Sequence, residues 1–228
     1  MASPVEFCSS GGVGGVVGYV SGNSWTNGGI GITSNPGGPN CKSKSYTDPS
    51  SGTVFGLGVS GGRTGDEIDF RESIKLDFGP GPGATVNSFE IIVFFNGPEF
   101  NDPREKGILA VVFANGTESE FYFEADAQPS TTGLSSNLGG SWTNRSPMTS
   151  AGAGWFEFTN PFGDQAVRSL KFLSVDRPTS SNNSDYALKN LAYTTAVTEP
   201  VPEPTTYALM GLGLLGLAVM RRRKSANA

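Results

Sequence analysis

The chain of 228 residues contains no histidine. That excludes a Ser-His triad, a His-liganded zinc and any imidazole acid-base catalyst. There are two cysteines, Cys8 and Cys41, spaced 33 apart, so no CxxC pair or metal-binding cluster exists. Charge is sparse at 16% of residues, and basic residues (16) are outnumbered by acidic ones (21), which argues against nucleic acid as a partner. No apolar helical stripe occurs before residue 205. What is abundant is Gly (32) and Pro (15), together about a fifth of the chain and below the roughly 25–30% that signals disorder on composition alone. A folded core is allowed, and long helices are not expected in it.

The charges are unevenly placed. Arg221, Arg222, Arg223 and Lys224 are consecutive, and no acidic residue follows Glu203. This leaves twelve basic against twenty-one acidic residues in 1–204, a net charge of −9. Between Glu203 and Arg221 the chain is uncharged and, from Tyr207 to Met220, almost wholly apolar or Gly. As a helix, 205–220 is about 24 Å long, short of the roughly 30 Å of bilayer hydrocarbon, but basic side chains at its end can snorkel to make up the difference. The segment is apolar all round, lies at the end of the chain and meets a basic stop at once, which favours a transmembrane helix over a core helix. The positive-inside rule keeps Arg221–Lys224 cytoplasmic and places the preceding chain outside.

Val201-Pro202-Glu203-Pro204-Thr205, the Gly/Leu-rich span and the basic stop together resemble the PEP-CTERM sorting signal of Gram-negative bacteria. The resemblance implies that Pro202, Glu203 and Pro204 are recognised by exosortase, an integral membrane cysteine-type transpeptidase. It also implies inner-membrane anchoring before processing and then a place at the cell surface or outside the cell. Two prolines hold such a segment extended, leaving the backbone around Glu203 open to an enzyme. An exported chain also needs a leader; none is legible from Met1 to Cys8, and an export segment upstream of Met1 is expected. In an oxidising compartment Cys8 and Cys41 are expected to form one disulfide, worth about 3–4 kcal/mol by loop closure.

The middle of the chain reads as all-β. Runs of β-branched and aromatic residues bounded by Gly, Pro, Asn and Asp predict strands at 53–59, 67–78, 88–95, 108–114, 118–124, 155–159, 167–175 and 186–193. Asn115-Gly116 suggests a hairpin with a type I′ turn. Eight such strands suggest an antiparallel two-sheet sandwich, jelly-roll-like. The expected organisation is a Gly/Ser/Asn-rich segment (1–52) packed on a sandwich (53–195), a Pro-rich linker (196–204) and the sorting signal (201–228). The stretches Gly56–Gly62, Asp66–Asp69 with Glu72, Phe158–Phe162 and Ser184–Leu188 also resemble the globular domains that precede PEP-CTERM tails, most of which have no assigned activity.

Three groups of residues suggest chemistry. First and last strands of jelly rolls are often neighbours, so Asp66, Asp69 and Asp185 are candidates to converge on a hard cation such as Ca2+; the alternative is solvated edge and turn carboxylates. Trp25 and Trp142 sit in identical Ser-Trp-Thr-Asn tetrapeptides in loop-like surroundings and are candidates for a sugar platform or for covering the core ends, whereas Trp155 is read as core or sheet surface. Glu99, Asp102 and Glu105 supply carboxylates for glycoside hydrolysis, but Arg104 and Lys106 sit beside them, and a solvated loop is the stronger reading. No catalytic residue is assigned. The expectation is a non-enzymatic exported protein, structural or adhesive and linked to exopolysaccharide in biofilm, with a calcium-dependent carbohydrate-binding module as the alternative and a hydrolase behind it.

Overall fold

The structure is a computed structural model that describes residues 4–9, 12–13, 19–20, 24–27, 29–45, 52–61, 65–94, 105–126, 133–145, 154–175, 184–195 and 209, 210, 212 and 214. Met1–Ala196 forms one compact unit and Val197–Ala228 another. The first is all-β. In chain order its strands are β1 Val5–Glu6, β2 Cys8–Ser9, β3 Gly12–Val13, β4 Tyr19–Val20, β5 Ser24–Asn27, β6 Ile30–Asn35, β7 Pro39–Ser45, β8 Thr53–Val59 and β9 Ser73–Asp77. There follow β10 Ala84–Ile92, β11 Lys106–Phe113, β12 Glu118–Ala125, β13 Leu134–Ser136, β14 Ser141–Asn144, β15 Phe156–Thr159, β16 Ala166–Ser174 and β17 Ala187–Thr195.

Pairing is antiparallel throughout the described strands; β2 and β3 form a separate two-stranded sheet, and the main strands sort into two ladders. One runs β14–β15–β10–β17–β8–β7, and the other β5–β6–β9–β16–β11–β12–β13. They join where Ala84–Thr85 of β10 pairs both with Thr194–Thr195 and with Ala166–Val167. From β8 to β17 the chain changes ladder at every connection between the eight main strands except the β11–β12 hairpin. That strand order, β8–β17–β10–β15 over β9–β16–β11–β12, is jelly-roll connectivity. All eight expected strands are present. The N-terminal strands extend both ladders, β6 on β9 and β7 on β8.

The ladders face each other across an aromatic core. Phe89 of β10 stacks on Phe158 of the same layer at 4.6 Å and meets Phe172 and Phe123 of the other layer at 5.4 and 6.5 Å. Phe123 also contacts Phe94, Phe158 and Tyr186. The Tyr186 hydroxyl donates to the Leu173 carbonyl at 3.0 Å, so the one polar atom of this buried ring is satisfied across the layers. Alternation along β11 and β12 explains the assignment of faces: Leu109, Val111 and Phe123 are buried, while Glu118 and Glu120 are exposed. Cys8 and Cys41 are bonded, with Cα atoms 5.9 Å apart, tying β2 to β7.

Several expectations are corrected. Strand β9 starts at Ser73 rather than at residue 67, because Asp69 to Glu72 form a turn: the Glu72 amide donates to the Asp69 carbonyl, and Arg71 has φ +65°. The hairpin at Asn115-Gly116 exists, but with a loop of Ala114, Asn115 and Gly116 in which Gly116 alone has positive φ. A type I′ turn needs two such residues, so this is the longer hairpin class. The tetrapeptides around Trp25 and Trp142 are strands, not loops: Ser24–Asn27 pairs with Ile30–Thr33, and Ser141–Asn144 with Phe156–Thr159. Trp and Thr favour strands, and each segment has a hairpin partner close in sequence. Among the described residues no helix is long and apolar enough to cross a membrane. Leu209, Met210, Leu212 and Leu214 are helical and exposed; the rest of the expected helix 205–220 lies outside the described residues.

Candidate functional site

The densest chemistry in the sandwich is a cluster of carboxyls at one end. Its position follows from β8. The Val59 amide donates to the Glu67 carbonyl at 2.9 Å and the Ile68 amide to the Tyr186 carbonyl at 2.7 Å, so 67–69 is held between the end of β8 and the start of β17. Gly58 makes the approach possible, since a Cβ there would stand 2.2 Å from the Asp66 carbonyl oxygen. The segment entering β11 arrives at the same end: the Lys106 amide donates to the buried Ser184 hydroxyl at 2.8 Å.

This geometry places Asp69 near Asp185, because β8 and β17 are neighbours. Asp66 is not the third member. It lies part-exposed and paired with Lys42 Nζ at 3.3 Å, and Glu67, its neighbour in sequence, turns inward in its place. Lys42 also meets Glu67 at 2.9 Å, and these two acidic partners raise its pKa against the opposing effect of burial. Glu105 is buried too, and its carboxyl is hydrogen-bonded to that of Asp185, which is also bonded to Glu67. The reading of Glu105 as a solvated loop residue neutralised by Lys106 is therefore corrected: Lys106 turns to Glu124 at 3.4 Å and lies over the Tyr122 ring. Glu99, Asp102 and Arg104 are outside the described residues.

Asp185 carries the electrostatic consequence. Burial, then the negative charges of Glu67 and Asp69, push its pKa up from 3.8 to about 8, against a lowering hydrogen bond with Glu105. Glu72, whose Oε2 accepts from the Asp69 amide at 3.0 Å, is also raised, first by burial. Its Oε1 is buried without a hydrogen-bond partner among the described residues. Two carboxyls in hydrogen-bond contact must share a proton or face a cation. Among the described residues no group of three or more His, Cys, Asp or Glu side chains is arranged to hold a metal.

A pH dependence follows. Folding raises the Asp185 pKa, so the folded chain holds a proton that the unfolded chain releases between 3.8 and about 8. Its contribution to stability is fully present below the unfolded value and is lost as pH rises through the folded one, with a slope of up to about 1.4 kcal/mol per pH unit. Thermal melts should therefore fall steadily across that window, and Asp185→Asn should flatten the decline. An equal slope in the variant would contradict this assignment.

The tryptophans of the two Ser-Trp-Thr-Asn tetrapeptides lie on strands of different ladders. Trp142 is 38% exposed on the edge strand β14, packed edge-on against Phe156 at 5.9 Å. Trp25 lies on β5 of the other ladder, paired with Ile32 and Tyr19. Trp155 is a sheet-surface residue, its Nε1 donating to Glu90 at 2.6 Å beneath Lys189. Glu67, Glu105 and Glu72 were not among the candidate ligands. The first is signalled only by alternation next to Asp66, and the second only by its place at the mouth of an apolar strand.

The other candidate element is the C-terminal segment, where Pro202, Glu203, Pro204, Arg221, Arg222 and Arg223 fall outside the described residues. Residues 200–224 match the PEP-CTERM protein-sorting motif. This signal marks an exported protein that is processed at the membrane by exosortase and destined for the cell surface. No curated protein and no solved structure matches the chain.

Proposed function

We propose that the chain is a non-catalytic surface or extracellular-matrix protein with a structural or adhesive role linked to exopolysaccharide and biofilm. The observation behind this reading is the order of its parts, a compact β unit, Met1–Ala196, followed at once by the sorting motif at 200–224. In this reading Pro202-Glu203-Pro204 is the extended element that exosortase grips. Residues 205–220 hold the precursor in the inner membrane of a Gram-negative cell, and Arg221–Arg223 keep its end cytoplasmic. The sandwich is then delivered outside and the tail discarded. Fractionating a biofilm tests the role: the protein should co-sediment with exopolysaccharide and be released when that polymer is digested. A protein that stays wholly with washed cells, indifferent to digestion, would count against the matrix role.

A calcium-dependent carbohydrate-binding module is a second reading, in which Glu67, Asp69, Glu105 and Asp185, close together at one end of the fold but not arranged to hold a metal as they stand, would have to rearrange around the ion. A divalent ion would have to displace the proton on Asp185, so calcium and protons compete there. Calorimetry should then show calcium binding strengthening as pH passes through about 8, with proton release. Absence of calcium heat on both sides of that pH would remove this reading.

A further inference from the structure

The outer face of the β9–β16–β11–β12 sheet is unlike an ordinary solvated face. Strand β11 is apolar on both sides: Leu109 and Val111 point into the core, while Ile108, Ala110 and Val112 lie half-buried on the outside. A strand apolar on both faces is the pattern of one covered on both faces. Over the outer side runs a groove of about 430 Å³ with Ala110 and Val112 at its floor, Lys75 and Lys171 on one wall and Glu118 and Glu120 on the other.

The register shows how the walls relate. Lys75, Lys171, Ala110 and Glu120 form one continuous row across four strands. Lys75 and Lys171 are directly opposed like charges, an unfavourable pair, and only Lys75 is relieved, by Asp77 at 3.1 Å. Lys171, Glu118 and Glu120 have no ion pair among the described residues. Lys171 and Glu120 are two strands apart, about 10 Å, too far to pair within one sheet.

We infer that this face is a self-association surface whose partner is a second copy of the same chain. A half-turn about an axis running along β11, between two facing sheets, lays β16 of one copy over β12 of the other and keeps every residue in its row. Lys171 then faces the partner's Glu120. In the next row Ser169, buried at the groove floor opposite Val112 and hence in line with Glu118, lies beneath the partner's Glu118. In the row on the other side Leu173 meets the partner's Tyr122, both half-buried and both in register with Ile108. Each of the three rows is complementary to itself under the same operation, as an isologous interface requires, with an apolar stripe at the centre and charges outside it. The inference does not depend on polysaccharide binding.

Sedimentation of the full chain in detergent tests it. The wild type should dimerise at micromolar concentration. Lys171→Glu and Glu120→Lys each place like charges opposite one another and should weaken self-association by at least about tenfold. Mixed in equal amounts, the two variants should pair with each other, because each then supplies the charge the other lacks, and the double variant K171E/E120K should recover the dimer. Both positions are exposed, so the fold does not depend on them. A monomeric wild type overturns the inference, as does a dimer indifferent to either charge reversal, which would be held elsewhere, or a failure of the mixed variants to pair.

Discussion

Phe123→Ala should lower the unfolding free energy by about 3–5 kcal/mol. The ring is fully buried and is the meeting point of the two layers, 5.2 Å from Phe94, 5.3 Å from Tyr186, 5.4 Å from Phe158 and 6.5 Å from Phe89. All four neighbours belong to the layer opposite β12, so truncation empties the interior rather than one sheet. Collapse cannot easily refill the space, because the ring also covers Gly107, its register partner, where a Cβ would stand 2.2 Å from the ring atoms. Against a typical total stability of about 5–15 kcal/mol, such a loss removes a large fraction of the folded margin. Denaturant titration should show a lower midpoint with an unchanged slope, and Phe123→Leu should fall between the two. A loss under about 1 kcal/mol would mean that this ring does not hold the layers together.

Replacing both Cys8 and Cys41 with Ser should cost about 3–4 kcal/mol through the closed loop alone. The sequence separation is 33, and the loop contains β3 to β6, of which β6 buries Ile30 and Ile32 in the core. The bond closes this segment onto β7, and β6 is held on β9 by backbone pairing. The same loss should appear when the wild type is unfolded and refolded under reducing conditions. Equal stability with and without the bond would contradict the assignment. The cost also connects fold to location, since such a bond forms and persists where export takes the chain.

Much of the architecture is legible locally. Period-two alternation in Ile74 and Leu76, or in Phe121 and Phe123 against Glu120, Tyr122 and Glu124, identifies strands because side chains of a strand point alternately to its two faces, although Glu124 is buried at the strand's end. The spacing of these strands also suggested the jelly-roll order that the pairing shows. What local reading could not supply is which side chains meet at strand ends. That β8 and β17 are neighbours brought Asp69 to Asp185. Which of Asp66 and Glu67 turned inward depended on a single backbone bridge, between Val59 and Glu67. Glu105 was misread because its partner, Asp185, is 80 residues away in sequence and lies beside it only through the placement of β11 and β17 in opposite layers. The turn of Asp69–Glu72 was absorbed into a strand because Ile68 and Phe70 continue the alternation of Ile74 and Leu76 across it.

The sorting signal was readable for the opposite reason. Its order of Pro-Glu-Pro, apolar span and basic stop acts through an enzyme and a membrane and needs no tertiary partner in the chain. Partitioning charge at Glu203 separated a portion of net −9 from the four basic residues that close the sorting motif.

The most direct test of the central claim, that exosortase sorts this chain, is the intact mass of the protein extracted from the surface of the producing cells, compared with cells lacking exosortase. The account predicts a surface form that retains the sandwich and has lost Arg221–Lys224, and, without the enzyme, an uncut precursor retained in the membrane. A surface form with its C-terminus intact, unchanged by loss of the enzyme, would contradict it.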